Sequence, residues 1–373
     1  MISVQEITTK KEMKQFVKFP FSIYKGNPYW VPPIIKDELN IFDKTMNPAF
    51  EHATARFFMA LKDGKIAGRI AAIINHYEVE KQGIKKMRFG WYDVIDDVSV
   101  SKALLKKVHE IGKQYHLEFV EGPVGFSNLD KVGVLVDGFD HIGTMITWYS
   151  LPHYKEHLEQ LGYVKAKEYL ENKFDIKNVD KAYYAKISRI IKHRFKLTSV
   201  NFKKTEQVLP HVEDMFALFN KTYSRLASYV PISDRQIQYF KNRYISFVNP
   251  EFIKFVFDEN EQMIAFAIIM PSFSKALQKA KGKLFPFGIF HLLKARRNPT
   301  AITSYLIGVD ENYQNKGVTG IIFDEYLKSI EGKKVETMFR TPELEENKAI
   351  HQIWRNFNQV THKRRRTYRI DIK

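Results

Sequence analysis

Between Gly308 and Leu327 the chain reads GVDENYQNKGVTGIIFDEYL. A short apolar run, Ser304–Val309, enters this stretch, and an amphipathic run starting near Thr319 leaves it. Between them lie Gln314, Asn315, Lys316, Gly317, Val318, Thr319 and Gly320. The first backbone N–H groups of a helix have no internal partners and sit at the positive end of its dipole. A helix opened by this turn therefore offers a seat for a phosphate. Glycine at 317 and 320 removes Cβ where a phosphate must approach, and Lys316 adds attraction. An ordinary strand–turn–helix has the same residue types, so the stretch alone leaves both readings open.

Charge points to the same half of the chain. The 373 residues carry a net charge of +17. Residues 1–178 hold 25 Lys+Arg against 23 Asp+Glu, whereas residues 179–373 hold 34 against 19. So lopsided a field favours an anionic partner for the second half: a nucleotide-like cofactor, nucleic acid or an acidic membrane surface. The other reading is solubility alone. The absence of cysteine excludes a thiol nucleophile, a disulfide framework and Cys-based zinc sites, and the 12 histidines show no HExxH spacing. No metal is expected. No apolar stretch reaches the roughly 18 residues that span a bilayer, and MISVQEITTKKEMKQF has no signal-peptide core. A cytoplasmic protein is the expectation.

The elements that must position the loop occur twice. FFMALKDGKIAGRIAAII (Phe57–Ile74) reads as strand, Asp-Gly turn, strand, and FIKFVFDENEQMIAFAIIM (Phe252–Met270) reads the same way. Each is followed by a strand and a helix: Arg88–Ile95 and Ser99–His116 in the first half, Ser304–Val309 and Gly320–Gly332 in the second. A further strand (Glu118–Val124 or Glu336–Arg340) and a helix–strand ending close each copy. The repeated order predicts a duplicated α/β domain with mixed sheets, residues 1–178 and 179–373, joined near Asn178–Lys186.

Hairpin, strand, glycine loop, helix, strand, helix, strand is an order that resembles the GNAT superfamily of acyl-CoA N-acyltransferases. That family's pyrophosphate loop reads Arg/Gln-x-x-Gly-x-Gly/Ala, and Gln314 to Thr319 occupy those positions, with Gln314 and Gly317 matching. Thr319 departs from the final Gly/Ala, although Gly320 follows at once. Over most of its length the chain also looks like a bacterial family of tandem GNAT-like proteins without an assigned substrate. The segments that carry this are NPYWVPP (Asn27–Pro33), NPAFEHA (Asn47–Ala53), Glu121–Asp140, GKLFPFG (Gly282–Gly288) and KRRRTYRI (Lys363–Ile370).

The resemblance implies acetyl-CoA or another acyl-CoA as co-substrate, an amine of unknown identity as acceptor, and a groove between the fourth and fifth strands of the second half. There the backbone of Ile307 and Val309 would hold the pantetheine arm and Gln314–Gly320 the pyrophosphate. Asn347 matches the family's helix asparagine and would lie near the thioester. The family's tyrosine seven residues later is Trp354 here, no carboxylate stands on Ser304–Val309, and Asp310 and Glu311 read as solvated turn residues. The general base is therefore not identified. In the first half the matching stretch, Asp93–Leu105, has no glycine and places Asp96 and Asp97 where a pyrophosphate would lie, so that half reads as having lost the cofactor. Three functions follow: an acyl-CoA N-acyltransferase, an inactive tandem scaffold binding an anionic ligand or partner, or aminoacyl transfer from charged tRNA.

Other features carry less. Residues 272–300 hold seven Lys+Arg, no acid and interleaved aromatics. This insertion reads as a lid, an acyl-chain groove or a patch for an anionic membrane surface, or else as a solvated loop over a buried aromatic cluster. HKRRR (His362–Arg366) is expected to be a charged edge strand, and no clear nucleic-acid module is found. Tyr223, Arg225 and Tyr229 line an acceptor cleft or pack in the core.

Overall fold

The computed structural model describes residues 1–127, 129–224, 229–241 and 248–373. Arg225 falls outside them. The first half contributes β1 (Ile2–Glu6), β2 (Ala53–Lys62), β3 (Lys65–Asn75), β4 (Lys86–Val94), β5 (Phe119–Gly122), β6 (Val134–Asp137) and β7 (Val164–Asp175). The second contributes β8 (Thr198–Asn201), β9 (Ile253–Phe257), β10 (Met263–Pro271), β11 (Ala301–Val309), β12 (Thr337–Arg340), β13 (Glu343–Leu344) and β14 (Val360–Asp371).

Local chemistry explains the repeated parts. Asp63 and Gly64 both take positive φ, which suits the two-residue turn joining β2 to β3. In the second copy Asp258 closes the longer turn by accepting from the N–H groups of Asn260 and Gln262, each at 2.9 Å. The helix Val98–Gln114 buries Val100, Leu104, Leu105, Val108 and Ile111 along one stripe. Its counterpart Val318–Ile330 is buried along most of its length, because a second helix, Lys181–Phe195, lies over it. Strands β3, β4, β9 and β10 are buried nearly throughout, as sheets covered on both faces require.

The strands form one continuous sheet in the order β1-β2-β3-β4-β5-β14-β7-β12-β11-β10-β9-β8, with β6 beside β14 and β13 beside β7. The pairs β4–β5 and β11–β12 are parallel, and the others are antiparallel. Each half thus lays five of its own strands side by side and then receives the last strand of the other. β14, from the end of the chain, pairs with β5, and β7 pairs with β12. β7 and β14 pair with each other along nearly their whole length.

This arrangement corrects the edge-strand reading of His362–Arg366. The run lies in β14, at the middle of the sheet, and its charges are neutralised by β7. Glu171 is 1% exposed; it receives Lys363 Nζ at 2.7 Å and the Nε of Arg365, both also buried. Glu168 receives Arg364 at 3.1 Å and Arg366 at 3.0 Å. Burial works to raise the pKa of Glu171, but attraction to Lys363 and Arg365 outweighs it and holds the value at about 2.

Removing the carboxylate would leave two buried cations unpaired, a change that costs about 3–5 kcal/mol. Glu171→Gln should lower the unfolding free energy by that order in urea melts, where an unchanged midpoint would contradict the role given to Glu171. The folded-state pKa lies below the ordinary 4.5, so this stabilisation is complete above the unfolded value. It is lost as pH falls from about 4.5 towards 2, and melts of the parent and Glu171→Gln should converge over that window.

Candidate functional site

β11 is paired on one side along its full length and on the other for only part of it. β10 follows it from Ile302 to Val309, while β12 pairs only from Ala301↔Thr337 to Ser304↔Arg340. Thr341 N–H still donates to the Ser304 carbonyl at 3.3 Å, and beyond that point β11 has no partner strand on the β12 side among the described residues. The result is a splay running from Tyr305 to Val309.

Backbone alternation decides what faces the opening. Asp310 N–H donates to Ile264 O on β10, and Gly308 pairs with Phe266, so the amides of Ile307 and Val309 are turned to the other side. Both were expected from the sequence to line the groove, and the structure sets both on the open edge. Their carbonyls are already engaged: Tyr223 Oη donates to Ile307 O at 3.0 Å, and Gln314 Nε2 donates to Val309 O at 3.0 Å. Gln314 is therefore held by its side chain to the strand end, and the loop hangs from it. Burial pushes the Tyr223 hydroxyl up to about 12, so it keeps its proton through the neutral range.

The loop itself is exposed from Gln314 to Gly317. Asn315 has φ 59° and Gly317 φ 81°, and Gly317 is the N-cap of the helix Val318–Ile330 with no side chain capping it. Val318 turns its side chain into the core, so it can offer only its N–H group to a ligand, and Thr319 beside it is half-buried. Lys316 Nζ lies 5.4 Å from the ring centres of Phe195 and Tyr313. Helix Lys181–Phe195 runs antiparallel beside this turn and ends there in Lys192, His193 and Arg194. Lys192 is spent on Glu325 at 2.9 Å.

The two glycines do different work. A Cβ on Gly320 would stand 2.6 Å from Ile187 Cγ2, so this glycine admits the neighbouring helix and not a phosphate. That is a correction of its expected role. At Gly317 the nearest atoms are those of Ile191 at 3.2 Å, and the positive φ is the stronger reason for glycine.

The first half has the same splay, filled. β4 pairs with β5 only from Lys86 to Arg88, but Val94 is covered by the helix His153–Gln160: its N–H donates to Tyr154 Oη at 3.3 Å and its carbonyl lies 3.0 Å from His153 Nε2. Asp93 is bound by Arg69 and by Tyr24 Oη, each at 2.7 Å. At the helix start Asp97 accepts from Ser99 N–H at 2.9 Å and from Lys62 Nζ at 2.6 Å. The hydrogen bond from Lys62, then that from Ser99, holds its pKa at about 2. A carboxylate thus occupies the place that Gly317 leaves bare.

Several expected groups are committed elsewhere. Asn347 caps the helix Lys348–Trp354, accepting from Ile350 N–H at 3.2 Å. Asp310 is not a solvated turn residue: it is 9% exposed, bound to Lys221 at 2.7 Å and to Asn312 N–H at 2.9 Å. Burial raises its pKa, but the Lys221 hydrogen bond and its other contacts outweigh that and keep it ionised. Trp354 is buried against Phe323, Phe357 and Phe174, beneath the Arg340 guanidinium at 4.7 Å. Tyr229 is a core residue bound to Asn220, whereas Tyr223 reaches the splay. What sequence reasoning missed is the pairing of Tyr223 with Ile307; the helix spacing offered no sign of it.

No protein-family model matches the chain. Among solved structures, the tandem GNAT protein from the clavulanic acid biosynthesis pathway superimposes with a TM-score of 0.60, covering 100% of this chain and 99% of that one at 8% identity. The chain has a tandem GNAT fold. Two bacterial relatives extend along nearly all of it. Protein YghO of Escherichia coli (strain K12) is 24% identical over 375 residues, 99% of this chain and 95% of the relative. The bacterial ceramide synthase of Caulobacter vibrioides (strain NA1000 / CB15N) is 23% identical over 381 residues, 98% and 97% of the two chains. Within this fold the bare loop and the open β11 edge lie in the second half.

Gly320→Val should destabilise the fold by about 1–3 kcal/mol through overpacking against Ile187. In a double-mutant cycle with Ile187→Ala, the two losses should sum to more than the double variant shows; strictly additive losses would remove Ile187 as the reason for this glycine.

Proposed function

We propose that the chain is an acyl-CoA-dependent N-acyltransferase that holds its acyl-CoA in the second half and acylates a long-chain amine. One observation carries the cofactor reading: the same strand–loop–helix occurs twice, closed by the Asp97 carboxylate in one copy and opened by uncapped Gly317 in the other. Coenzyme A carries a pyrophosphate and a further ribose phosphate. Lys316 and Arg194 stand beside the open helix end to meet such charges. The acceptor class is supported by the ceramide synthase relative, since a ceramide is an amide of a long-chain amino alcohol.

In the reaction the amine nitrogen attacks the thioester carbonyl, a C–N bond forms, the C–S bond breaks and the thiolate takes up a proton. The N–H groups of Ile307 and Val309 face the open edge and suit polarisation of a carbonyl. Tyr223, protonated at neutral pH and fixed at Ile307, suits delivery of the proton to sulfur. The amine proton passes to water, because Asp310 is committed to Lys221. A second reading, a scaffold that binds acyl-CoA without turnover, draws on buried Trp354 in place of the family's tyrosine.

Thiol release is a clean readout, since the chain has no cysteine to react with the dye. With palmitoyl-CoA and a long-chain amino alcohol, the protein should release thiol in step with amide formation. Lys316→Glu with Arg194→Glu should raise KM for acyl-CoA by about tenfold or more. Tyr223→Phe should lower kcat roughly tenfold to a hundredfold and leave that KM unchanged. Acyl-CoA binding without amide formation across short- and long-chain amines would favour the scaffold; no binding would overturn both readings.

A further inference from the structure

The insertion between β10 and β11 turns its aromatic residues outward. It forms two helices, Ser274–Ala280 and Gly288–Arg297. Phe273, Ala276, Leu277, Ala280 and Leu292 pack inward on Val31 and Ile34 of the first half. Backbone and side-chain bonds fasten it: Ile35 N–H to Gly282 O at 2.9 Å, Gln278 Nε2 to Pro28 O at 2.7 Å, and Ser274 Oγ to Gly143 O at 2.8 Å. A Cβ on Gly282 would stand 2.6 Å from the Phe21 ring, so the two helices are locked down at their joint.

The opposite face is unlike the surface of an ordinary soluble domain. Phe285 is 76% exposed, Phe287 72% and Phe290 64%, with Leu293 at 45%. Phe290, Leu293, Lys294 and Arg297 share one outward stripe of the second helix by their spacing. Lys275, Lys279, Lys281 and Lys283 are exposed on the remainder of the insertion, and no acidic residue occurs from 272 to 300. The sequence left open whether these aromatics formed a buried cluster; Phe285, Phe287 and Phe290 do not.

We propose that this face docks on an anionic lipid surface, with Phe285, Phe287, Phe290 and Leu293 entering the headgroup–acyl boundary and the surrounding cations meeting lipid phosphates. Aromatic side chains held on a rigid support, ringed by Lys and Arg without acid, match the chemistry of an interfacial anchor. A second copy of the chain is a poorer occupant, since two such faces would bring like charges together. The insertion joins β11 at its first residue, whereas the glycine loop leaves from its last, about 26 Å away at ~3.3 Å per residue. A docked molecule thus keeps the loop at the other end of β11 from the lipid. This proposal is independent of the acyltransferase reading, because it concerns binding alone.

Co-sedimentation of the full chain with vesicles tests it. Phosphatidylcholine vesicles containing phosphatidylglycerol should bind the protein, pure phosphatidylcholine should bind it at least about tenfold more weakly, and salt should weaken the former. Phe285→Ser with Phe287→Ser and Phe290→Ser should lose binding by about tenfold or more with an unchanged thermal melt, since all three are exposed. Lys281→Gln with Lys283→Gln and Lys294→Gln should lose mainly the preference for anionic lipid. No binding to anionic vesicles, equal binding by the serine variant, or a dimer that the serine variant converts to a monomer would overturn the proposal.

Discussion

The buried ion cluster of Glu171, Lys363 and Arg365 sits where β7 and β14 cross from one half of the molecule to the other. These two strands are the only long elements that each half lends to its neighbour's sheet among the described residues, and neither sheet is complete without the loan. A charge cluster at such a seam works as a register lock. A one-residue slip of β14 along β7 would send Lys363 and Arg365 to the opposite face and strand Glu171. The β11–β12 splay depends on the same seam, because β12 is short and is backed by β7 of the first half. The site in the second half is therefore built by both copies.

Duplication followed by divergence explains why two similar halves are not equivalent. Both retain the parallel strand pair, the splay beyond it and a helix starting at its mouth. In the first, Tyr154, His153 and Asp97 satisfy the strand end and the helix start from within the protein. In the second, Gly317 leaves the helix start to whatever lies outside, and the basic end of helix Lys181–Phe195 is placed beside it. The free N–H groups at this exposed helix start can be satisfied by water, whereas the cations beside it repel the positive end of the helix dipole, so the arrangement favours an anion at that place.

The hairpins, the strand–loop–helix units and the asymmetry of charge were legible in the sequence because each is local: Asp63-Gly64 marks a turn wherever it stands, and Asp97 against Gly317 is a difference in residue type. The exchange of β7 and β14 was not, since pairing order is set by partners far apart in the chain. The basic run in β14 reads as a surface edge until Glu168 and Glu171 are seen facing it. Gly320 misled for the same reason: its partner, Ile187, belongs to another helix. Asp310 looked like a turn residue because nothing nearby in sequence announces Lys221, and Tyr223 showed no link to Ile307.

The central claim is that one half, and only that half, binds acyl-CoA through an uncapped helix start. The most direct measurement is a calorimetric titration of the full chain with acetyl-CoA, repeated on Lys316→Glu with Arg194→Glu and on Asp97→Ser, where serine keeps a helix cap. The account predicts one acetyl-CoA per chain, binding weakened by about tenfold or more in the first variant and unchanged in the second. Two molecules per chain, or affinity that follows Asp97 and ignores Lys316 and Arg194, would contradict it.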